Sequence, residues 1–243
     1  MVKRKQRKLN QTRKKQVWRR RIFVFIFKAF LCFAITTSAI VFLFSIVNPP
    51  TTPLMWIRWV QDGRPIHKPL VLKNWQPLKS ISPNLVRAVI AAEDIRFFIH
   101  SGIDWKAAWA AFKHNLNSEK KYGASTITMQ TARNVFLWQK RNWLRKSLEI
   151  YFTLLIESIW TKHRILEVYL NVIEWGDGVF GVSDAVSLYY HRTPEKLSLV
   201  EASRMASILP NPRGRSFEFP SKYVINRQSK ILKEMKFVWI PPL

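Results

Sequence analysis

Acidic residues are scarce in this 243-residue chain: 15 Asp and Glu stand against 40 Lys and Arg, a formal charge of +25. That balance excludes an acidic solvating chain. Cysteine is nearly absent, Cys32 being the only one, so no intramolecular disulfide can form and stability must come from packing. Seven Gly and 13 Pro argue against a turn-rich all-β chain, whose short strands need frequent turns. There is no internal repeat and no low-complexity segment beyond a basic N-terminal tail. What the chain does have is core-forming material: 48% hydrophobic and 14% aromatic residues, with 11 Trp, which excludes disorder despite the charge.

A basic surface attracts nucleic acid, anionic lipid and pyrophosphate by the same electrostatics, so total charge cannot choose among them. Its distribution helps. Residues 1–28 hold twelve of the cations and no acid, leaving 28 basic against 15 acidic side chains, an excess of 13, for the rest. Residues 29–47, AFLCFAITTSAIVFLFSIV, carry no charge and are long enough to span a bilayer core as a helix. Lys28 sits where its stem can snorkel to the head groups. The dense Lys/Arg flank predicts a cytoplasmic N-terminus and sends everything after residue 47 outward. A cleaved signal is the competing reading, since Thr37-Ser38-Ala39 is a small-x-small site. The apolar run continues to Val47, however, and the basic leader is long for a signal. An uncleaved anchor makes the tail a topology determinant with anionic-lipid contact, and nucleic-acid binding loses its best evidence.

Asn48-Pro49-Pro50-Thr51-Thr52-Pro53 cannot continue a helix, because three prolines lack donors and fix φ. It reads as a linker. Met55 to Val60, aromatics beside Arg58, suits either the head-group interface or ordinary packing. From about residue 80 the spacing predicts helices: one capped by Ser82-Pro83 with Leu85, Val86, Val89 and Ile90 on one face; one capped by Asp104 with Trp105, Trp109, Phe112 and Leu116 at helical spacing. A third carries Leu144, Leu148, Phe152, Leu155 and Ile159, and a fourth Ile165, Leu166, Val168 and Tyr169. Ser198 and Glu201 form a capping box ahead of another. The expected layout is a basic tail at 1–28, an anchor at 29–47, a linker and interfacial segment at 48–79, and one mainly α domain at 80–243.

No acid precedes Asp62, yet Glu93 and Asp94 stand together at the end of an apolar helix. Burial there would raise a carboxyl pKa towards that of a competent general base. A solvated helix end is the plainer reading, although acids at a helix C-terminus oppose its dipole. A second cluster, Lys121-Tyr122-Gly123-Ala124-Ser125-Thr126-Ile127-Thr128-Met129-Gln130 with Ala132-Arg133-Asn134 behind it, offers backbone N–H groups and hydroxyls to an anion, or simply starts a helix well. It lacks the Gly-Lys-Ser/Thr ending of a nucleotide P-loop. Arg145 and Lys146 stand one turn before Glu149, a surface ion pair unless buried. Lys162, Glu167 and Asn171 decorate an amphipathic helix. His67, His100, His114, His163 and His191 show no metal spacing. Ser118-x-x-Lys121 matches a penicillin-binding acyl-enzyme motif by coincidence, since no Lys-Thr-Gly follows.

Taken in order, Glu93-Asp94-x-x-Phe97-x-x-His100-x-Gly102-x-Asp104, then Gly123-Ala-Ser125-Thr126-Ile-Thr128-Met-Gln130, Arg145-Lys146-x-x-Glu149, and Lys162-x-x-Ile165-Leu166-Glu167-x-Tyr169-Leu170-Asn171 resemble the motifs of the family 51 glycosyltransferases, the peptidoglycan glycosyltransferases that polymerise lipid II. Glu174-Trp-Gly176-Asp-Gly178-Val-Phe180-Gly181 also fits. The layout is similar to that of the family's monofunctional biosynthetic members, because the chain ends at Leu243 without room for a transpeptidase domain. The resemblance implies a lysozyme-like α fold with Glu93 as general base on the acceptor's 4-hydroxyl and undecaprenyl pyrophosphate as leaving group. It implies Arg145, Lys146 and Lys162 as the cations that neutralise that group, and Glu149 as organiser of the donor or of a divalent cation (Mg or Mn), with no organic cofactor. Asp94, Phe97, His100, Gly102, Ser125, Thr126, Gln130, Asn134 and Asn171 would line the substrate cleft. The implied partners are lipid II, the growing glycan, the membrane and other cell-wall synthesis proteins. The chain departs from the family at Tyr189-Tyr190-His191-Arg192, where Tyr-Phe-Gly-Lys is usual, and at Thr131, where Leu is usual.

Two rival readings remain at this level. A lysozyme-like lytic enzyme would need an acid to protonate a sugar leaving group, whereas the basic clusters favour an anionic one. A non-catalytic basic membrane scaffold leaves Glu93 unexplained. Assay with labelled lipid II separates all three.

Overall fold

The computed structural model describes residues 2–63, 71–118, 123–140 and 142–242, with backbone alone for residues 2–14 and 17. His67, the tail side chains up to Lys14, and Glu119, Lys120, Lys121 and Tyr122 of the sequence readings lie outside the described residues. The elements are α1 (Val2–Ile46), α2 (Pro53–Gln61), α3 (Pro83–Glu93), α4 (Trp105–Asn117), α5 (Ile127–Phe136), α6 (Trp143–Ile159), α7 (Lys162–Val172), β1 (Glu174–Gly176), β2 (Val179–Phe180), α8 (Val182–Tyr190), α9 (Leu199–Ile208) and α10 (Lys222–Glu234). Two units result, Met1–Phe44 and Ser45–Leu243. In the first, the basic tail and the apolar run form one helix. Its apolar part, Trp18–Ile46, is 29 residues long, enough at 1.5 Å per residue to cross a bilayer core of about 30 Å with some tilt.

In the second unit, α7 is the central helix. Its Ile165, Leu166, Val168, Tyr169, Leu170 and Val172 are all buried, and a helix apolar nearly all round belongs inside a domain. It packs on α5, which also meets α2 and α6, while α3, α9 and α10 pack together. Trp175 follows α7, fully buried, and satisfies its indole N–H on Leu170 O at 3.2 Å, as a buried Trp requires. The antiparallel hairpin β1–β2 pairs Glu174 with Phe180 around a register irregularity. It is too short to show alternation in sequence.

The sequence signals for helix starts hold: Ser82 accepts from Asn84 N, Asp104 from Ala107 N, and Ser198 and Glu201 form a complete capping box. Three features go beyond the sequence pattern. Of the two readings of Met55 to Val60 the packed one applies: α2 buries Leu54 and Met55 and sends Arg58 to Glu174 at 3.1 Å. The apolar face of α4 is exposed. Trp105, Trp109, Phe112 and Leu116 are all more than half exposed, with Trp109 and Phe112 stacked at 5.5 Å. On α6 the buried stripe is Arg145, Glu149, Phe152, Thr153 and Ile156, while Leu144 is exposed.

The departure at residues 189–192 acquires a physical meaning. His191 ends α8 in the left-handed region, φ 52° and ψ 41°, the position where helices favour Gly because a Cβ strains that conformation. We expect His191→Gly to stabilise the domain by about 1 kcal/mol at most, the relieved strain exceeding the entropy of the added glycine. The melting temperature should rise by about 2–4 °C per kcal/mol; a fall in thermal denaturation would show that the imidazole contributes more than its strain.

Candidate active site

Glu93 is the last residue of α3, and two elements distant in sequence meet it. Gln130 of α5 donates Nε2–H to Glu93 Oε2 at 2.9 Å, and Arg227 of α10 donates Nη2–H to Glu93 Oε1 at 3.0 Å. The Gln130 amide is itself oriented, because the Tyr169 hydroxyl donates to its Oε1 at 3.1 Å. Burial pushes the Glu93 carboxyl above its usual range, with Gln130, Arg227 and Arg133 pulling the other way. The phenol of Tyr169 is pushed up by burial and then by the charge of Glu93, so it stays a donor.

Two depressions meet this pair of side chains from different sides. Glu93 lines the larger, about 650 Å³, with Ser125, Thr126, Arg96, Lys106 and Lys230. Gln130 lines the smaller, about 220 Å³, with Arg133, Asn134, Tyr169, Arg58 and Arg213. The carboxylate opens on the larger, and its amide partner on the smaller.

The first two sequence clusters are brought together, but largely to hold one another. Asp94 is buried; its Oδ2 accepts from Ile127 N at 3.0 Å, at the start of α5, and His100 Nε2 lies 2.9 Å from its Oδ1. Thr126 caps α5 and donates its hydroxyl to Gly102 O at 2.5 Å. Gly102 has φ +83°, and a Cβ there would lie 2.7 Å from Glu157 Cγ, so this position tolerates glycine alone. These side chains fix the start of α5, and with it Gln130, against the end of α3. An acid at a helix N-terminus also complements its dipole.

The third cluster is a buried ion triad. Glu149, 1% exposed, pairs with Arg145 one turn before it and with Lys146 at 2.6 Å. Arg133 adds a further cation: its Nε makes no hydrogen bond though buried, and it feels Glu149, Tyr169, Arg145 and Glu93, while burial lowers its pKa. It links the triad electrostatically to the base. Among the described residues no group of three or more His, Cys, Asp or Glu could hold a metal, and both Glu149 oxygens are engaged by cations. The residues present do not fit the divalent cation that the resemblance implies at Glu149.

Three expected substrate contacts make bonds or packing contacts within the domain. Phe97 is fully buried, with Lys162 Nζ 4.5 Å from its ring centroid. Lys162 donates to His100 O at 2.6 Å and to Glu157 Oε1 at 2.7 Å, and Glu157 Oε1 also accepts from Thr128 at 2.6 Å; its charge is neutralised inside the domain. Asn171 holds the backbone of Gln76 by two bonds of 2.8 Å. Sequence reasoning missed Arg133, Tyr169 and Arg227 as site residues. Gln130 and Arg133 share a face at i, i+3, which could have found the first. Tyr169 was visible as an apolar helix position and as a member of the fourth motif, without a role, and Arg227, 134 residues from Glu93, carries no local signal.

A mainly α domain with a buried, cation-supported carboxylate at the edge of a depression, preceded in sequence by one long apolar helix, fits the class of lysozyme-like glycosyltransferases. Residues 63–236 match the family described as Transglycosylase, and the chain belongs to that family. It is similar to three proteins each called a biosynthetic peptidoglycan transglycosylase. That of Bdellovibrio bacteriovorus is 48% identical over 86% of this chain and 84% of the relative. That of Rhodospirillum centenum is 50% identical over 79% and 81%, and that of Pseudomonas syringae pv. syringae 45% over 87% and 89%.

Proposed function

We propose that the chain is a peptidoglycan glycosyltransferase that polymerises lipid II into β-1,4 glycan, with Glu93 as general base. Family membership gives the reaction class; the observation that carries the assignment of the base is the Glu93 carboxylate, raised in pKa by burial, gripped by Gln130 and Arg227 and lining the larger depression, with Gln130 lining the smaller. Glu93 takes the proton of the acceptor's 4-hydroxyl as that oxygen forms its bond to the anomeric carbon of the growing chain. The bond from that carbon to the pyrophosphate oxygen breaks, the configuration inverts, and undecaprenyl pyrophosphate leaves as an anion. Arg145 and Lys146, held by Glu149, and Arg133, facing the smaller depression, are the preorganised cations for that charge. No organic cofactor enters the reaction.

The apolar stretch of α1 anchors the domain in the inner membrane, where the lipid substrate resides. The twelve cations before Ala29 keep the N-terminus cytoplasmic and place the catalytic domain in the periplasm, alongside other cell-wall synthesis proteins. Purified full-length protein incubated with labelled lipid II should yield polymeric glycan and released undecaprenyl pyrophosphate. Glycan cleavage in place of polymer, or no reaction, would overturn the reading.

A further inference from the structure

Arg227 approaches Glu93 from α10, the last helix of the domain, and uses one nitrogen for two purposes. Its Nη2 donates to Glu93 Oε1 at 3.0 Å and to Ala92 O at 2.9 Å. Ala92 O belongs to the last turn of α3, whose carbonyls lack intrahelical partners. The same guanidinium thus caps the C-terminus of α3 and grips the side chain that ends it. A cation there complements the helix dipole and offsets the adverse placement of Glu93 and Asp94 at that end. The Arg227 Nε is buried without a hydrogen-bond partner, so the contacts with α3 are not incidental to a stronger attachment of that nitrogen elsewhere.

We propose that Arg227 is a positioning residue for catalysis: it fixes the direction and the ionisation of the Glu93 carboxylate by clasping it together with the Ala92 carbonyl. This rests on the reading of Glu93 as the base. Gln130 grips the second oxygen, so the carboxylate is held from two sides by one neutral donor and one charged donor. Each oxygen keeps a second lone pair for the acceptor hydroxyl. The arrangement answers two opposing demands: burial raises the Glu93 carboxyl and so makes it more basic, while Arg227 favours its ionised form without having to touch substrate. The charged and titratable groups that act on Glu93 are Arg227 from α10, Arg133 from α5 and Tyr169 from α7, and the depression it lines also holds Asp94, Arg96, Asp104, Lys106, Lys230 and Glu234. Of these arginines, Arg227 alone is hydrogen-bonded to Glu93 in the described residues.

The test is the pH profile of lipid II polymerisation by the full-length protein, with thermal denaturation of each variant as a control. Arg227→Gln should lower kcat about 10- to 100-fold at neutral pH with KM little changed. The acidic limb should move to higher pH, because a withdrawn cation leaves burial less opposed. Arg227→Lys, which keeps the charge but not the fork, should return the limb towards its original place while recovering only part of kcat, and it serves as the working variant if Arg227→Gln fails to fold. An unmoved acidic limb in both variants, or a raised KM with kcat unchanged, would overturn the proposal in favour of a structural or substrate-binding role. A Glu93→Gln control separates this from failure of the underlying reading: an active Glu93→Gln enzyme removes the base itself, whereas an inactive one beside an unmoved Arg227 profile removes only the positioning role.

Discussion

Glu93→Gln should abolish polymerisation yet leave a domain at least as stable as wild type at neutral pH. The loss follows from chemistry, since an amide cannot take the acceptor proton, and removal of a general base typically lowers kcat about 10²–10⁴-fold. The stability follows from sign. Burial is the largest influence on Glu93 and raises its pKa in the folded state from 4.5, so the folded protein binds this proton more tightly than the unfolded chain does. Its contribution therefore favours folding at low pH. That contribution is lost as pH rises from the unfolded value through the raised folded value. At neutral pH the wild type holds a charge that costs stability, and Gln does not. The hydrogen bonds adapt: the new amide oxygen can accept from Arg227, and the Gln130 amide can turn over because the Tyr169 hydroxyl is able to donate or accept. Melting curves of the two proteins should converge as pH falls below the folded pKa. A variant that is both inactive and strongly destabilised at neutral pH would show Glu93 to be structural and sink the assignment. In the wild type the rate itself should fall with pH through a point above the ordinary carboxylate range, because only the ionised base works.

The sequence carried some of this site and not the rest, for physical reasons. Glu93, Gln130 and Glu149 were legible because each lies on a helix whose local pattern is strong, and because acids are so scarce that their positions inform. The helix caps at Ser82, Asp104 and Ser198 were legible because capping is a contact between residues three or fewer apart. Arg227 was not, since its partners on α3 are 134 and 135 residues away and its own helix reads as an ordinary basic amphipathic one. Lys162 shows what a motif leaves out: its contacts with Glu157 and the His100 carbonyl depend on the packing of α6 against the loop after α3, which no local pattern reveals. The exposed face of α4 shows that helical periodicity fixes an apolar stripe without saying whether protein covers it.

The second large effect is expected at Glu149. Its carboxylate, 1% exposed, lies between Arg145, whose side chain is 9% exposed, and Lys146, at 36%. Glu149→Gln keeps the shape and removes the charge, leaving Arg145 buried without its counter-ion. Breaking a buried pair from one side costs about 3–5 kcal/mol, more than the pair itself contributes, so the melting temperature should drop by roughly 10 °C. Lys146→Ala, which removes the more exposed partner, should cost less than about 1 kcal/mol. The contrast tests burial; the next measurement tests function. If Arg145, Lys146 and Arg133 form the cradle for the leaving pyrophosphate, then an anion in solution can replace the missing carboxylate. Inorganic pyrophosphate, titrated into the variant, should raise its melting temperature further than it raises that of wild type, because ligand stabilisation grows with affinity for the folded state and the emptied site has gained an unopposed positive charge. Equal shifts in the two proteins would place pyrophosphate away from this triad, and the cations at Arg145 and Lys146 would then be supports for α6 rather than partners of the leaving group.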